Sequence, residues 1–186
     1  MAITPSNMMP LGTTAPDFNL TDTVSGQQKS LSELKSANGT VIMFICNHCP
    51  FVVHIREVLA KVAKTYQQKG IAFIAISSND IEDYPQDSPE KMQEYAKTYG
   101  FTFAYLYDES QAVAKAYDAA CTPDFYLFDD NLKCVYRGRF DASTPGNDVA
   151  VTGEDLTQAM DALLAGQPIN AEQIPSQGCN IKWKQS

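Results

Sequence analysis

Val41-Ile42-Met43-Phe44-Ile45-Cys46-Asn47-His48-Cys49-Pro50 changes character in its middle. Five consecutive apolar residues, Val41 to Ile45, with β-branched and aromatic members, predict a strand buried on both faces. From Val52 onward the apolar residues recur as Val52, Ile55, Leu59, Val62 and Tyr66, the spacing of one buried stripe along a helix that reaches Gln68. Pro50 fits the first helical position, where a missing N–H costs nothing. Cys49 is then the N-cap, its sulfur beside unsatisfied N–H groups and the positive end of the helix dipole. Such surroundings favour thiolate over thiol, and the thiolate is the reactive form. Cys49 is therefore the first candidate for chemistry.

The rest of the chain reads outward from there. Upstream, residues 1–14 are a polar extension with Pro5, Pro10 and Gly12, expected to drape over the surface. Asp17 to Leu20 and Lys29 to Leu31 flank Ser25-Gly26 and predict a β-hairpin. Ser30 and Glu33 stand at capping-box spacing over a short helix. Downstream, Ile71 to Ser77 predicts a second buried strand, returning through the helix as a right-handed βαβ unit. Ser78 to Ser88 reads as a surface loop, and Pro89 opens a helix that stops at Gly100. Phe103 to Tyr107 is a third strand, Ser110 to Tyr117 a short helix, and Phe125 to Phe128 with Cys134 to Gly138 a hairpin. Gly153 to Gly166 is a last amphipathic helix, and residues 167–186 an irregular tail. The expectation is one layered α/β domain over residues 15–166, with a central mixed sheet, flanking helices and an N-terminal hairpin.

Composition narrows the function. With 186 residues, 44% hydrophobic and 19% charged, the chain suits one globular domain with its own core. A net charge of −8 with scattered basic residues argues against a nucleic-acid or anionic-membrane partner. No apolar run approaches the ~18 residues of a membrane helix, and Met1 to Leu11 lacks the pattern of a secretory signal. The setting expected is cytoplasmic, where five cysteines do not make a disulfide framework. Cys134, in a strand-like stretch, reads as core packing.

The element order, with Cys49 at a helix start, resembles the thioredoxin fold, in the branch of the alkyl hydroperoxide reductase/thiol-specific antioxidant family. The resemblance is carried by Ala15-Pro16-Asp17-Phe18, Phe44 to Val52, Cys121-Thr122-Pro123-Asp124-Phe125 and Tyr136-Arg137-Gly138. The tail Cys179 to Trp183 also looks like that of a subgroup sharing the Cys-Asn-His-Cys-Pro core. Relatives commonly run aromatic-x-x-x-Trp-Cys-Pro-x-Cys. On that pattern Cys49 takes the nucleophilic position, Val52 stands where the second cysteine would be, and Cys46 falls upstream in the loop. Peroxiredoxins carry a Pro and a Thr ahead of their cysteine, where this chain has Ile42 and Cys46. The resemblance further implies a cis Thr122–Pro123 bond facing the active cysteine, with Cys121 or Thr122 nearby.

The leading expectation is a thiol-disulfide oxidoreductase or thiol-dependent peroxidase, peroxiredoxin-like and antioxidant in role. Its site is Cys49, Cys46, Cys121, Pro123 and His48, with neither cofactor nor metal. His48 reads either as a cation or proton shuttle beside Cys49 or as an exposed loop histidine. Asp124 reads as a neighbouring acid or a turn residue. The partner of oxidised Cys49 is ranked Cys46, then Cys121, then Cys179, the last needing tail movement. Partners implied are a peroxide or protein disulfide and a dithiol reductant. The rival expectation is a copper or zinc protein using Cys46, Cys49 and a histidine.

Overall fold

The computed structural model describes residues 3–186. Strand β1, Ile3–Pro5, is followed by the hairpin of β2, Asn19–Asp22, and β3, Gln28–Ser30. Ser30 caps α1, Leu31–Leu34: its hydroxyl accepts from the Glu33 amide while the Glu33 carboxylate takes the Ser30 N–H. Then come β4, Thr40–Phe44; α2, Pro50–Gln68; β5, Ala72–Ser77; a 3-10 turn at Pro85–Asp87; α3, Pro89–Thr98; and β6, Ala104–Tyr107. After α4, Ala112–Ala116, lie the two-residue β7, Cys121–Thr122, and the antiparallel pair β8, Asp124–Phe128, and β9, Cys134–Gly138. α5, Glu154–Leu164, and β10, Gln177–Asn180, follow.

Among the described residues the main sheet has seven strands in the order β3-β2-β6-β5-β4-β8-β9. β4, β5 and β6 run parallel, through the crossovers α2 and α3, and β8 lies antiparallel to β4. β4 has a strand on each edge and a packed layer on each face, which buries all five of its residues. The pleat sorts its side chains. Val41 and Met43, with Ile45 just beyond, pack with Val52, Ile55 and Leu59 of α2, Met92 of α3 and Leu156 of α5. Ile42 and Phe44 pack on the other face with Leu31, Tyr117, Tyr126 and Phe128. The α2 stripe seats Val52, Ile55, Leu59 and Tyr66, with Ala63 buried in place of the half-buried Val62.

Both chain ends differ from expectation. β10 is the middle strand of a second, small sheet, β1-β10-β7, with Ile3 opposite Cys179 on one side and Thr122 opposite it on the other. The N-terminal stretch is built in with it: Ser6 and Met9 are buried, and the Ser6 amide bonds the Ser176 carbonyl at 2.9 Å. The physical reason is β7, whose two residues are buried and need backbone partners that the main sheet does not supply. Among the described residues no helix is long and apolar enough to cross a membrane.

Candidate active site

α2 begins as expected, with Pro50 first and Cys49 as N-cap. The Cys49 carbonyl accepts from the Val52 and Val53 amides at 3.0 and 2.9 Å. Its side chain makes no capping hydrogen bond. As a thiol, the sulfur instead donates sideways to the Thr122 carbonyl, 3.3 Å away, just before the Thr122–Pro123 bond, which is cis. Cys179 of β10 and Cys46 of the preceding loop are its buried neighbours, and each favours its ionised form. The three are sealed from solvent, with exposures of 0% for Cys49 and 1% for each of the others.

Electrostatics follow from that arrangement. The Cys179 thiol, then the Cys46 thiol, and less strongly the Thr122 hydroxyl, donate to Cys49 and hold it well below the ordinary thiol range, against the desolvation of burial. The same contacts keep the donors protonated. Cys179 is pushed up by its bond to Cys49 and then by burial. Cys46 is pushed up by its bond to Cys49, then burial, then the Asp87 carboxylate. The three sulfurs titrate as one unit. Cys46 therefore faces this cluster rather than the deep core, its sulfur also 3.7 Å from the Thr122 hydroxyl.

The loop between Cys46 and Cys49 is clamped by a residue that the sequence did not single out. Asp87 accepts from the Asn47 and His48 amides at 2.8 and 3.3 Å, from the Asn79 side chain at 3.0 Å, and pairs with His48 Nδ1 at 2.5 Å. Asn47 in turn donates to the Gln86 carbonyl and accepts from the Tyr105 hydroxyl, both at 2.9 Å. The His48 ring stacks on Tyr84, centroids 5.3 Å apart, and its Nδ1 lies 4.0 Å from Cys46 Sγ. His48 thus neighbours Cys46. The stretch Ser78 to Ser88 is no plain surface loop: Ser78, Asn79, Asp80 and Asp87 are buried. A cluster of polar residues there was the visible signal, but it reads equally as a turn.

Cys121 is the neighbour of Thr122 on β7. Neighbouring residues on a strand point to opposite faces, and with Thr122 turned toward Cys46 and Cys49, Cys121 bonds Ser6 and the Pro123 carbonyl. Burial pushes its thiol up, and the Cys49 charge is among the further causes that raise it. Asp124 is buried and accepts from the Ser6 and Tyr126 hydroxyls at 2.9 and 3.2 Å; burial raises its carboxyl to about 7. Cys134 packs in the core, where burial lifts it to about 11. His54 pairs with the Ser143 hydroxyl at 2.7 Å. Cys46 Sγ, His48 Nδ1 and an Asp87 oxygen lie within 4.8 Å of one another, a donor set that could hold a metal and that substitutes Asp87 for the expected Cys49.

Comparison with known proteins extends this picture. The model of the AhpC/TSA family matches residues 11–137. An uncharacterised conserved protein from Geobacillus kaustophilus is 57% identical and superposes with a TM-score of 0.99, covering 100% of this chain and 98% of its own. A putative thioredoxin from Neisseria meningitidis, 25% identical, superposes with a TM-score of 0.62 over 85% of this chain and 91% of its own. The fold is thioredoxin-like. The thiol-disulfide oxidoreductase ResA of Geobacillus kaustophilus (strain HTA426) is 28% identical over 121 residues, 65% of this chain. The chain spans 64% of the length of that curated relative.

Proposed function

We propose that this chain, which belongs to the AhpC/TSA family, is a thiol-disulfide oxidoreductase with Cys49 as its nucleophile. One observation carries the reading: the Cys49 sulfur, at the start of α2, faces the Thr122 carbonyl beside the cis Pro123 at 3.3 Å, with the buried thiols Cys46 and Cys179 as neighbours that favour its ionised form. A thiolate so placed attacks a disulfide sulfur, and a neighbouring thiol then displaces the product from the mixed disulfide. Neighbouring thiols would also capture a sulfenate, so the geometry suits peroxide reduction as well as disulfide exchange, and the likeness to thiol-disulfide oxidoreductases favours exchange. Asp87 and His48 act as positioning residues, holding the loop that carries Cys46. Thr122 and Pro123 form the wall opposite Cys49, and Cys121 serves packing. The substrate class is a protein or small-molecule disulfide, with turnover supported by a dithiol reductant such as a cytoplasmic setting supplies.

The test is reduction of insulin and of an aromatic disulfide by dithiothreitol with catalytic amounts of protein, beside hydrogen peroxide consumption. Disulfide turnover that is lost in Cys49→Ser supports the reading. Peroxide turnover alone would reassign the chain to the peroxidases, and turnover of neither would remove the redox reading.

A second reading has its own observation, the Cys46–His48–Asp87 donor set. Thiolate and imidazole suit zinc or copper(I). Incubation with either metal, followed by metal analysis of wild type, Cys46→Ser and Asp87→Asn, decides it: one equivalent retained by wild type and lost in both variants is required.

A further inference from the structure

We infer that Cys179, carried on β10, is the thiol that resolves the mixed disulfide on Cys49, so that the working redox pair is Cys49–Cys179 rather than Cys46–Cys49. This rests on the disulfide-exchange reading above and names its second residue.

Position comes first. β10 is held between β1 and β7, with Cys179 in register with Thr122. The Thr122 carbonyl is the group that the Cys49 sulfur reaches at 3.3 Å. Gly178 lets the strands approach so closely: a Cβ there would stand 1.9 Å from the Thr122 oxygen and 3.3 Å from Pro123 Cδ. Directly opposed residues of antiparallel strands have Cα atoms about 4.5–5.5 Å apart. The register thus holds the Cys179 backbone against the residue that the Cys49 sulfur already touches. No tail movement is needed.

The surroundings then separate the two candidate thiols. Cys46 Sγ lies 3.7 Å from the Thr122 hydroxyl and 4.0 Å from His48 Nδ1, in a loop that Asp87 ties down through the Asn47 and His48 amides. Cys179 stands in register with Thr122, the residue whose carbonyl the Cys49 sulfur touches. Cys46 is thus held by partners of its own, and Cys179 is the thiol seated against the nucleophile.

The chemistry balances as follows. The Cys49 thiolate attacks one sulfur of a substrate R–S–S–R′; the substrate bond breaks, Cys49–S–S–R forms, and R′–S⁻ leaves to take a proton. Cys179 gives up its proton and attacks the Cys49 sulfur; the Cys49–Cys179 bond forms and R–S⁻ leaves, protonated in turn. The substrate gains two electrons, the cysteine pair loses two, and a dithiol reductant restores the pair.

The experiment is oxidation of the full chain with one equivalent of oxidised glutathione, then peptide mapping without reduction, on wild type, Cys46→Ser and Cys179→Ser. The expected result is a Cys49–Cys179 bond in wild type and in Cys46→Ser, and a glutathione adduct on Cys49 that persists in Cys179→Ser at least tenfold longer. A Cys49–Cys179 bond closes a long loop whereas Cys46–Cys49 closes a very short one, so oxidation of Cys46→Ser should also raise Tm by several degrees. A Cys46–Cys49 bond formed at equal rate in wild type and Cys179→Ser overturns the inference and leaves the exchange reading standing. Absence of any bond or adduct at Cys49 overturns both.

Discussion

At the scale of single residues, the chemistry resides in which sulfur sits in the middle. Cys49 accepts from the thiols on both sides and from Thr122, so its charge is stabilised by donors that come from three separate parts of the chain. Hydrogen bonds to a charged group contribute about 1.5–3 kcal/mol each, which corresponds to roughly one to two pH units in the acidity of the acceptor. Cys179→Ala and Cys46→Ala should each move the midpoint of Cys49 alkylation by iodoacetamide upward by about that amount, with Cys179→Ala giving the larger shift. Thiolate absorbance near the ultraviolet edge provides the independent readout. Midpoints that stay with wild type in both variants would show that the neighbouring thiols do not set the acidity of Cys49. Cys49→Ser should remove most of the acid-side reactivity, since burial raises Cys121 and Cys134 and still opposes ionisation of Cys46 and Cys179 once the Cys49 charge is gone.

At the scale of elements, β10 is the part that turns a helix-start cysteine into an enclosed cluster. It covers the edge of β7 and is itself covered by β1. Its seat depends on Gly178, where the Thr122 carbonyl occupies the space of a side chain. The obstructing atom is backbone, at a turn locked between β7 and β8, so it has nowhere to give. Gly178→Ala should therefore lift β10 off β7, costing about 1–3 kcal/mol as an overpacked site and opening a path to Cys49. Urea unfolding would show the loss, and the alkylation rate of Cys49 by a bulky maleimide should rise at the same time. A variant as stable as wild type, with Cys49 still shielded, would mean that the strand can slide without consequence. The clamp from Asp87 works in the same way on the opposite side, tying the loop of residues 46–49 to the 3-10 turn.

At the scale of the whole molecule, the fold buries an acid. Asp124, at the start of β8, is buried with two hydroxyl donors, and burial lifts its carboxyl from 3.8 to about 7. A folded-state value above the unfolded one means that the folded chain binds the extra proton. The associated stability is complete below about pH 4 and is lost as pH rises through about 7, reaching at most about 4 kcal/mol. Asp124→Asn keeps an acceptor for Ser6 and removes the charge. Its stability relative to wild type should improve from about pH 4 to about pH 7 and then level off, as read by chemical denaturation at each pH. A difference that does not change with pH would show that Asp124 is ionised throughout or that another group dominates the slope.

What the amino-acid sequence determined by itself is what short-range physics can specify. The continuous apolar run of Val41 to Ile45 could only be a strand covered on both faces, and the 3.6-residue stripe from Val52 placed α2 against it. Pro50 and Cys49 marked the helix start, and Ser30 and Glu33 the capping box. Each of these rests on neighbours a few residues away. The tertiary structure alone decided that Cys49's sulfur turns from its own helix to Thr122, that Asp87 clamps the loop beside it, and that Cys179 arrives as its neighbour. Gln177–Asn180 and Ile3–Pro5 are too short to show a period, and their apolar content is too low to predict burial. Their pairing is set by the unpaired edge of β7, a feature that exists only after the main sheet has folded and that no local pattern encodes.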